Sequence, residues 1–252
     1  MEFDKAKLQW LEYDLLESYP HVIHGSFLKH GGVSKGSYAT LNVGNGMGDG
    51  ADNIRENREL MRKALNVPKL IFPHQTHGTN VERITAKTGD KVPHADAIFT
   101  TEKNTALAVT HADCQGAIFY DPVHEAVGVV HAGWRGMAQN IYARMLETMH
   151  REIGTQPQNL IVCISPSLGP DHAEYKNYKQ ELPQDFWTHQ VKPNYFDFWA
   201  ISRKQLSALG VLDKNIEVAE VCTHCNPQDY FSHRLEKDTG RNATVVALKG
   251  GL

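Results

Sequence analysis

The sequence of 252 residues has only four cysteines and no long hydrophobic run. No apolar stretch reaches the roughly 20 residues that a membrane-spanning helix needs. The first twenty residues, MEFDKAKLQWLEYDLLESYP, are charged throughout and lack the apolar region of a signal peptide. We therefore expect a cytoplasmic protein without membrane partners. Four cysteines in such a chain do not predict a disulfide framework.

The sequence also lacks an excess of charge of either sign. Its 26 Lys and Arg and 29 Asp and Glu residues give a net charge of -3, which offers no electrostatic reason to expect nucleic acid as a partner. The fractions of hydrophobic residues (41%) and charged residues (22%) are typical of a globular protein. No linker, internal repeat or low-complexity segment divides the sequence, so we predict one domain over residues 1–252.

Short apolar runs and helical patterns follow one another without a regular β-α order. The patterns predict helices at 52–66, 137–152 and 201–209, and strands at 70–72, 80–84, 106–110, 116–120, 126–132, 160–164, 216–222 and 243–248. DPVHE predicts a hairpin turn, the polar run 231–241 a surface hairpin, and the aromatic run 195–199 part of the core. This order favours an α+β fold with mixed sheets over a doubly wound sheet.

Three polar clusters interrupt the predicted strands, each at the end of an apolar run: PHQTHG at 73–78, THADC at 110–114 and VVHAGWRG at 129–136. They supply imidazole and thiolate groups, a ligand set well suited to Zn²⁺. Three protein ligands leave a fourth position open, as in a catalytic site. Pro73 and Gly78 favour an extended H-x-x-H segment, in which only one of His74 and His77 would reach the metal. The spacing does not decide which one.

Two further features carry weaker signals. In HAGWRG, Arg135 stands beside a predicted helix start, an arrangement suited to phosphate; the alternative is that Arg135 pairs with Asp113 or Asp121. Cys222 and Cys225 form C-T-H-C, which resembles half of a structural zinc site or a redox pair. No second C-x-x-C completes four ligands, so we interpret them as an unpaired pair of thiols near a strand end.

The segment ADCQGAIFYDPVHEAVGVVHAGWRG resembles the signature of the multicopper polyphenol oxidase (laccase)-like family, now regarded as purine nucleoside-processing enzymes. Its cysteine and its second histidine, Cys114 and His131, are seventeen residues apart, as in that signature. Further matches are HGSFLKHGGVS at 24–34, LNVG at 41–44, ENR at 56–58, HQTHG at 74–78, ADAIFT at 95–100 and CTHCNPQDYFSHRLEKDTGR at 222–241. The resemblance therefore extends through most of the chain.

The resemblance implies a zinc ion on His77, Cys114 and His131, which selects His77 from the H-x-x-H pair. It implies phosphorolysis of adenosine, guanosine, inosine and methylthioadenosine, together with adenosine deamination. The implied fold is a layered mixed α/β arrangement shared with cysteine hydrolase-like proteins. The sequence departs from the family pattern at three positions, which puts the substrate preference in doubt: Gly116 replaces a usual proline, Ser165 a usual glycine, and His111 stands where other members carry other residues.

For this function we assign catalytic roles to Cys114, His131 and Asp113, with Asp113 or His111 as the group that moves a proton to the leaving ammonia. Purine nucleosides and phosphate would be the substrates. The predicted substrate-binding residues are Arg135, Arg58 and Gln75. The sequence leaves open the oligomeric state, the preferred nucleoside and the balance between the two reactions.

Three other functions compete with this interpretation. A metal-free cysteine hydrolase acting on an amide or a cell-wall precursor would use Cys114 as nucleophile and His131 as base. A copper polyphenol oxidase is disfavoured, because the sequence has none of the H-x-H pairs that multicopper oxidases often use. A non-enzymatic interaction module would leave three convergent ligands unexplained.

Overall fold

Two β-sheets form the framework of the computed structural model, which describes residues 7–88 and 91–250. The first six residues of the charged N-terminal segment, and the two ends of the predicted 1–252 domain, lie outside the described residues. Within the described ranges, no helix is both long enough and apolar enough to cross a membrane.

The described residues form thirteen strands and six α-helices. The strands are β1 (Trp10–Leu11), β2 (Val22–Phe27), β3 (Lys69–Ile71), β4 (Val81–Ile84), β5 (Ala97–Thr100), β6 (Thr105–His111), β7 (Gln115–Asp121), β8 (Ala126–Ala132), β9 (Ile161–Ile164), β10 (Gln190–Lys192), β11 (Tyr195–Phe196), β12 (Ile216–Val218) and β13 (Asn242–Leu248). The helices are α1 (Asp14–Glu17), α2 (Ala51–Ala64), α3 (Trp134–Ala138), α4 (Ile141–Ile153), α5 (Tyr178–Glu181) and α6 (Phe198–Ala208).

Both large sheets mix parallel and antiparallel pairs. The five-stranded sheet has the order β1-β2-β13-β6-β3, and only β3 and β6 run parallel. The six-stranded sheet has the order β12-β9-β7-β8-β5-β4, in which the two outer pairs are parallel. The predicted mixed α/β single domain with mixed sheets is therefore confirmed. The hairpin predicted at DPVHE is the turn between β7 and β8.

The two sheets pack face to face between outer helices. In β7, Ile118 and Tyr120 belong to the apolar cluster between the sheets, whereas Ala117 and Phe119 belong to the cluster under α4 and α6. A third cluster joins α2 to the outer face of the five-stranded sheet. Every residue of β7, β8 and β13 is buried, because each of these strands has a covered layer on both sides. The order of layers is helix, sheet, sheet, helix.

The structure corrects two predicted elements. The helix predicted at 137–152 is two helices, α3 and α4, because Asn140 adopts a left-handed conformation (φ 55°) and caps α4 by accepting a hydrogen bond from the N–H of Ala143. The surface hairpin predicted at 231–241 is wrong. This segment, all of it described, contains turns but no strand, and Phe231 and Ser232 are buried against the rest of the protein.

Four early elements have no counterpart among the predicted ones: β1, α1, β2 and β5. In β2, polar residues interrupt the apolar pattern, yet His24 and Ser26 are buried. The Ser26 hydroxyl lies 2.8 Å from the Tyr13 hydroxyl and 2.9 Å from that of Thr244. The Tyr13 N–H donates to Nε2 of His24 at 3.1 Å. With such partners for its buried polar side chains, the strand occupies the sheet interior without an apolar sequence.

The packing at β8 makes a stability prediction. A Cβ atom at Gly128 would lie 2.9 Å from Cβ of Phe99 and 3.1 Å from the Ile98 carbonyl oxygen, and it would also collide with the end of Met145. Overpacking of this kind costs about 1–3 kcal/mol. We expect Gly128→Ala to lower the urea midpoint of unfolding accordingly. Gly50→Ala is the comparison, since its Cβ would meet nothing closer than 3.5 Å and only the poorer preference of alanine for the N-cap of α2, about 1 kcal/mol or less, would act there. A smaller loss at Gly128 than at Gly50 would contradict the packing argument.

Candidate active site

The structure brings His77, Cys114 and His131 together at one edge of the sheets. His131 is the penultimate residue of β8, Cys114 directly precedes β7, and His77 lies in the loop between β3 and β4. Their ligand atoms all lie within 4.8 Å of one another. A Cβ at Gly133 would lie 3.1 Å from the His77 ring and 3.3 Å from the Cys114 sulfur, so a side chain there would crowd the group. Two imidazoles and one thiol are a metal-binding donor set, and three protein ligands leave one position open for water or substrate.

The two histidines of the H-x-x-H segment have different surroundings. His77 adopts a left-handed backbone conformation (φ 59°) and its ring meets that of His131 edge-on, with 4.7 Å between the ring centroids. His74 is exposed and packs instead against His94, at 4.9 Å. The segment is not helical, as Pro73 and Gly78 predict, and only one of its histidines joins the cluster.

A buried carboxylate that the sequence reasoning missed holds this cluster in place. Asp96, which directly precedes β5, accepts a hydrogen bond from Nδ1 of His131 at 2.9 Å. It also accepts the backbone N–H groups of Thr76, His77 and Gly78 at 3.1, 2.9 and 2.8 Å. With Nδ1 engaged, His131 keeps Nε2 for a metal, the usual arrangement behind a histidine ligand. The sequence carries one signal that could have identified Asp96: it stands beside the apolar run of ADAIFT, at a strand end, as do the three polar clusters that supply the ligands.

The charges of Asp96, His131 and Cys114 depend on one another. Burial would raise the pKa of Asp96, but the hydrogen bonds from His131 and the loop N–H groups lower it to about 2. Burial would lower the pKa of His131, but its hydrogen bonds to Asp96 and Cys114 raise it to about 9. Burial would also raise the pKa of Cys114, and the hydrogen bonds to His131 and His77 lower it to about 6. Without a metal, the site therefore holds a thiolate, an imidazolium and a carboxylate at neutral pH.

Two cavities meet at His77 and Cys114. The first, here called the aromatic cavity, has a volume of about 550 Å³ and is lined by Trp134, Arg135, Tyr175, Phe198, His233 and Arg234, among others. The second, the arginine cavity, has a volume of about 540 Å³ and is lined by Arg58, Phe72, Gln75, His111 and Arg241, among others. Both volumes are in the range of small-molecule sites.

The two predicted phosphate-binding arginines lie in different cavities. Arg135 is exposed in the aromatic cavity, its guanidinium 4.3 Å from the Trp134 ring, and it makes no ion pair with any described residue. The alternative pairing with Asp113 or Asp121 is thus not observed. In the arginine cavity, Nε and Nη2 of Arg58 donate to the Val43 carbonyl at 3.0 and 2.6 Å.

Gln75 and Asp113 are both held by neighbouring chain segments. Gln75 exchanges hydrogen bonds with the backbone of Thr110, whose carbonyl accepts at 2.7 Å and whose N–H donates at 2.8 Å. The Asp113 carboxylate accepts from the hydroxyls of Thr223 and Ser232 at 2.7 and 2.6 Å and from the N–H of Arg234 at 2.5 Å. Asp113 therefore joins two distant loops to the site, and its proton-transfer role stays a prediction.

The three departures from the family pattern are in contact with one another. A Cβ at Gly116 would lie 2.6 Å from Oγ1 of Thr244 and 3.3 Å from the His111 ring. The Gly116 N–H, which a proline lacks, donates to the Ser165 hydroxyl at 2.8 Å. His111 is buried, and one ring nitrogen, Nε2, lies 2.8 Å from Oγ1 of Thr244. Burial, with the charges of His131 and Arg241, lowers the pKa of His111 to about 3. A neutral imidazole is a poor proton donor, which disfavours His111 as the shuttle.

Fold and site together define a class: a layered mixed α/β protein with a two-histidine, one-cysteine group of the catalytic metal type at the junction of two cavities. The match to the family described as "Multi-copper polyphenol oxidoreductase laccase" covers residues 23–249. The chain belongs to this family.

Its relatives carry a different name. The "Purine nucleoside phosphorylase" of Bacteroides thetaiotaomicron is 30% identical over 258 residues, covering 94% of this chain and 96% of the relative. The "Purine nucleoside phosphorylase YlmD" of Geobacillus stearothermophilus is 31% identical, covering 91% of this chain and 90% of the relative. Its crystal structure superposes with a TM-score of 0.85 at 29% identity, covering 93% and 94% of the two chains. The YfiH protein of Bacillus licheniformis superposes with a TM-score of 0.87 at 26% identity, covering 98% of both.

The charge arrangement predicts how Cys114 reacts in metal-free protein. Because its pKa is lowered to about 6, the thiolate should persist down to that pH, whereas an ordinary thiol with a pKa of about 8.5 would be protonated there. We expect chelator-treated protein to be alkylated at Cys114 with a midpoint near pH 6, measured by peptide mass spectrometry. Asp96→Asn should move the midpoint upward, because His131 then loses the carboxylate that favours its cation.

The matched control for this experiment is Asp121→Asn. Asp121 is also buried and also bonds a histidine, with Oδ2 of Asp121 2.8 Å from Nδ1 of His124. It belongs to the β7–β8 turn rather than to the site, so the Cys114 midpoint should stay unchanged. A wild-type midpoint between pH 8 and 9 would contradict the proposed charge state.

Proposed function

We propose that this protein is a zinc-dependent purine nucleoside phosphorylase that also deaminates adenosine. Its substrates would be adenosine, guanosine, inosine and methylthioadenosine, with phosphate as co-substrate. The observation that carries the proposal is the convergence of His77, Cys114 and His131 where two cavities of nucleoside size meet. The names of the relatives supply the reaction class.

His77, Cys114 and His131 would hold the zinc ion, and three ligands suit a site that keeps one position for chemistry. When bound, zinc supplies Lewis-acid polarisation and the activation of water, which is the chemistry that deamination at C6 of adenine requires. Asp96 fixes the ring of His131 and the backbone around His77, so the two imidazoles are oriented before any metal arrives.

In phosphorolysis, a phosphate oxygen forms a bond to C1′ of the ribose while the bond from C1′ to the purine breaks. The aromatic cavity fits the purine, since Trp134, Tyr175 and Phe198 line it and large aromatic rings stack on planar bases. Arg135 is the best candidate for holding phosphate, because its guanidinium has no ion-pair partner among the described residues. In deamination, the amino group leaves as ammonia and needs a proton, for which Asp113 lies on the wall of the same cavity.

The H-x-x-H segment provides a matched pair of variants. We expect His77→Ala to lose one equivalent of metal and to slow both reactions at least 100-fold, a loss typical of catalytic metal groups, whereas His74→Ala keeps that metal. Metal content is measured by mass spectrometry, and products are separated after incubation with adenosine. Adenine that forms only with phosphate reports phosphorolysis, and inosine without phosphate reports deamination. Full activity of His77→Ala would refute the zinc proposal.

A metal-free cysteine hydrolase is the second candidate, favoured by the thiolate and imidazolium that Cys114 and His131 form without metal. Mutation alone does not separate the two, since both need the same residues. A chelator does, because it would stop a zinc enzyme and leave a cysteine hydrolase active. Activity that survives chelation and disappears on alkylation would replace the zinc proposal.

The family description names copper, whereas the names of the relatives describe a purine nucleoside phosphorylase. A site with two histidines and one cysteine binds copper more tightly than zinc under equal supply, so copper taken up during purification can mimic a native metal. The absence of H-x-H pairs argues against a multicopper oxidase. Oxidation of a phenol at one turnover or more per copper would favour the oxidase instead.

Arg135 can be tested separately from the metal. We expect Arg135→Gln to raise KM for phosphate about 10- to 100-fold, the loss of one charge-assisted contact of about 1.5–3 kcal/mol, without changing the metal content. The deamination rate should change little, because that reaction uses no phosphate. Arg144→Gln is the control, since Arg144 lies on α4 and pairs with Glu147 on the surface. An unchanged KM for phosphate in Arg135→Gln would exclude this arginine.

A further inference from the structure

A second cluster of metal-binding side chains lies outside the proposed active site. The ligand atoms of His172, His224 and Cys225 all lie within 4.8 Å of one another. The Cys225 sulfur is 3.5 Å from Nδ1 of His172, and the sulfur of Cys222 is 3.8 Å from the same nitrogen. The two imidazole rings stack with 3.8 Å between their centroids. One thiol and two imidazoles thus form the group, and the Cys222 thiol lies beside it, next to the imidazole of His172.

The fold supplies a ligand that the C-T-H-C sequence lacks. The carbonyl of Cys222 accepts the N–H of Asn226 at 3.1 Å and its side-chain amide at 2.8 Å, which closes a turn that carries both cysteines and His224. His172 comes from the segment after β9, fifty residues earlier in the chain. The N–H of Gly169 donates to the Cys222 sulfur at 3.2 Å, and the N–H of Thr223 donates to the Ser167 carbonyl at 2.9 Å, so the two segments are hydrogen-bonded to each other there.

We propose that Cys222, Cys225, His172 and His224 form a structural zinc site. Two thiolates and two imidazoles are a complete tetrahedral set for Zn²⁺, and the short C-x-x-C spacing is that of structural sites. These four side chains leave no ligand position open, in contrast to His77, Cys114 and His131. A disulfide between Cys222 and Cys225 is the alternative state of the two thiols, but it would not explain why His172 and His224 both lie close to Cys225.

This site would stabilise one wall of the aromatic cavity. Thr223, between the two ligands Cys222 and His224, donates its hydroxyl hydrogen to Asp113 at 2.7 Å. On the other segment, the N–H of Leu168 donates to the Asp113 carbonyl at 2.9 Å, and Leu168 lines the cavity. A zinc ion would fasten these two segments to each other. The protein would then bind two zinc ions with different tasks.

The test is a zinc titration of the full chain in the His77→Ala background, after chelation and in the presence of a reductant. We expect one equivalent of Zn²⁺ to bind, protecting Cys222 and Cys225 from alkylation. Adding Cys225→Ser should weaken this binding at least 10- to 100-fold, and so should His172→Gln, which lies on the other segment. Losses of this size are typical even for residues that only hydrogen-bond to a metal ligand. The control is His94→Gln, since His94 and His74 are a ring pair without thiols.

A second readout separates ligation from a general change in structure. Co²⁺ bound in place of zinc should give the near-ultraviolet absorption of sulfur-to-cobalt charge transfer, and Cys225→Ser should reduce it. The proposal is overturned when the reduced His77→Ala protein binds no Zn²⁺, or when binding persists in both Cys225→Ser and His172→Gln. A Cys222–Cys225 disulfide that persists in the presence of the reductant also overturns it, because it keeps both sulfurs from acting as thiolates.

Discussion

The buried carboxylate of Asp96 is the interaction on which the arrangement of the site depends. Burying a carboxylate away from water costs free energy unless the carboxylate is paired with a positive charge and hydrogen-bonded. Asp96 meets this requirement with an imidazole of β8 and three backbone N–H groups of the loop after β3. Each of these donors fixes a ligand or its neighbours. Satisfying one charge therefore also sets the positions of His77 and His131.

The layered fold explains why this carboxylate and the ligands are at the same edge. The interior strands β7, β8 and β13 are covered on both faces, so their side chains are committed to packing. Polar groups are accommodated where the strands end, and the antiparallel pairing of β7 with β8 places Gly116 opposite His131, close to Cys114. The metal-binding side chains therefore lie at one edge of the sheets, at or beyond the ends of strands whose middles are packed mainly by apolar side chains.

The sequence predicted helices and strands best where a local pattern of apolar residues is enough to define the element. The helical spacing of Ile54 and Met61 matches α2, which ends just before Leu65, and the run at 126–132 matches β8 without a shift. The prediction from sequence failed where an element depends on residues that are distant in the chain or on the backbone conformation of a single residue. Ser26 makes β2 possible only through Tyr13 and Thr244, and Asn140 ends one helix and starts another by its backbone conformation. In the site, the ligand types were visible, but Asp96 was not, since no local pattern says which carboxylate will be buried.

The same dependence on distant partners governs the departures from the family pattern. Read along the sequence, His111, Gly116 and Ser165 are three separate differences. In the structure they are one packing arrangement, because Thr244 occupies the space beside Gly116 and lies against His111, while Ser165 takes the N–H that a proline would not have. A proline placed alone at 116 would collide with Thr244 and leave Ser165 without this donor, so these positions are energetically coupled. Since His111 lines the arginine cavity, the position of its ring in that cavity depends on Gly116 and Thr244.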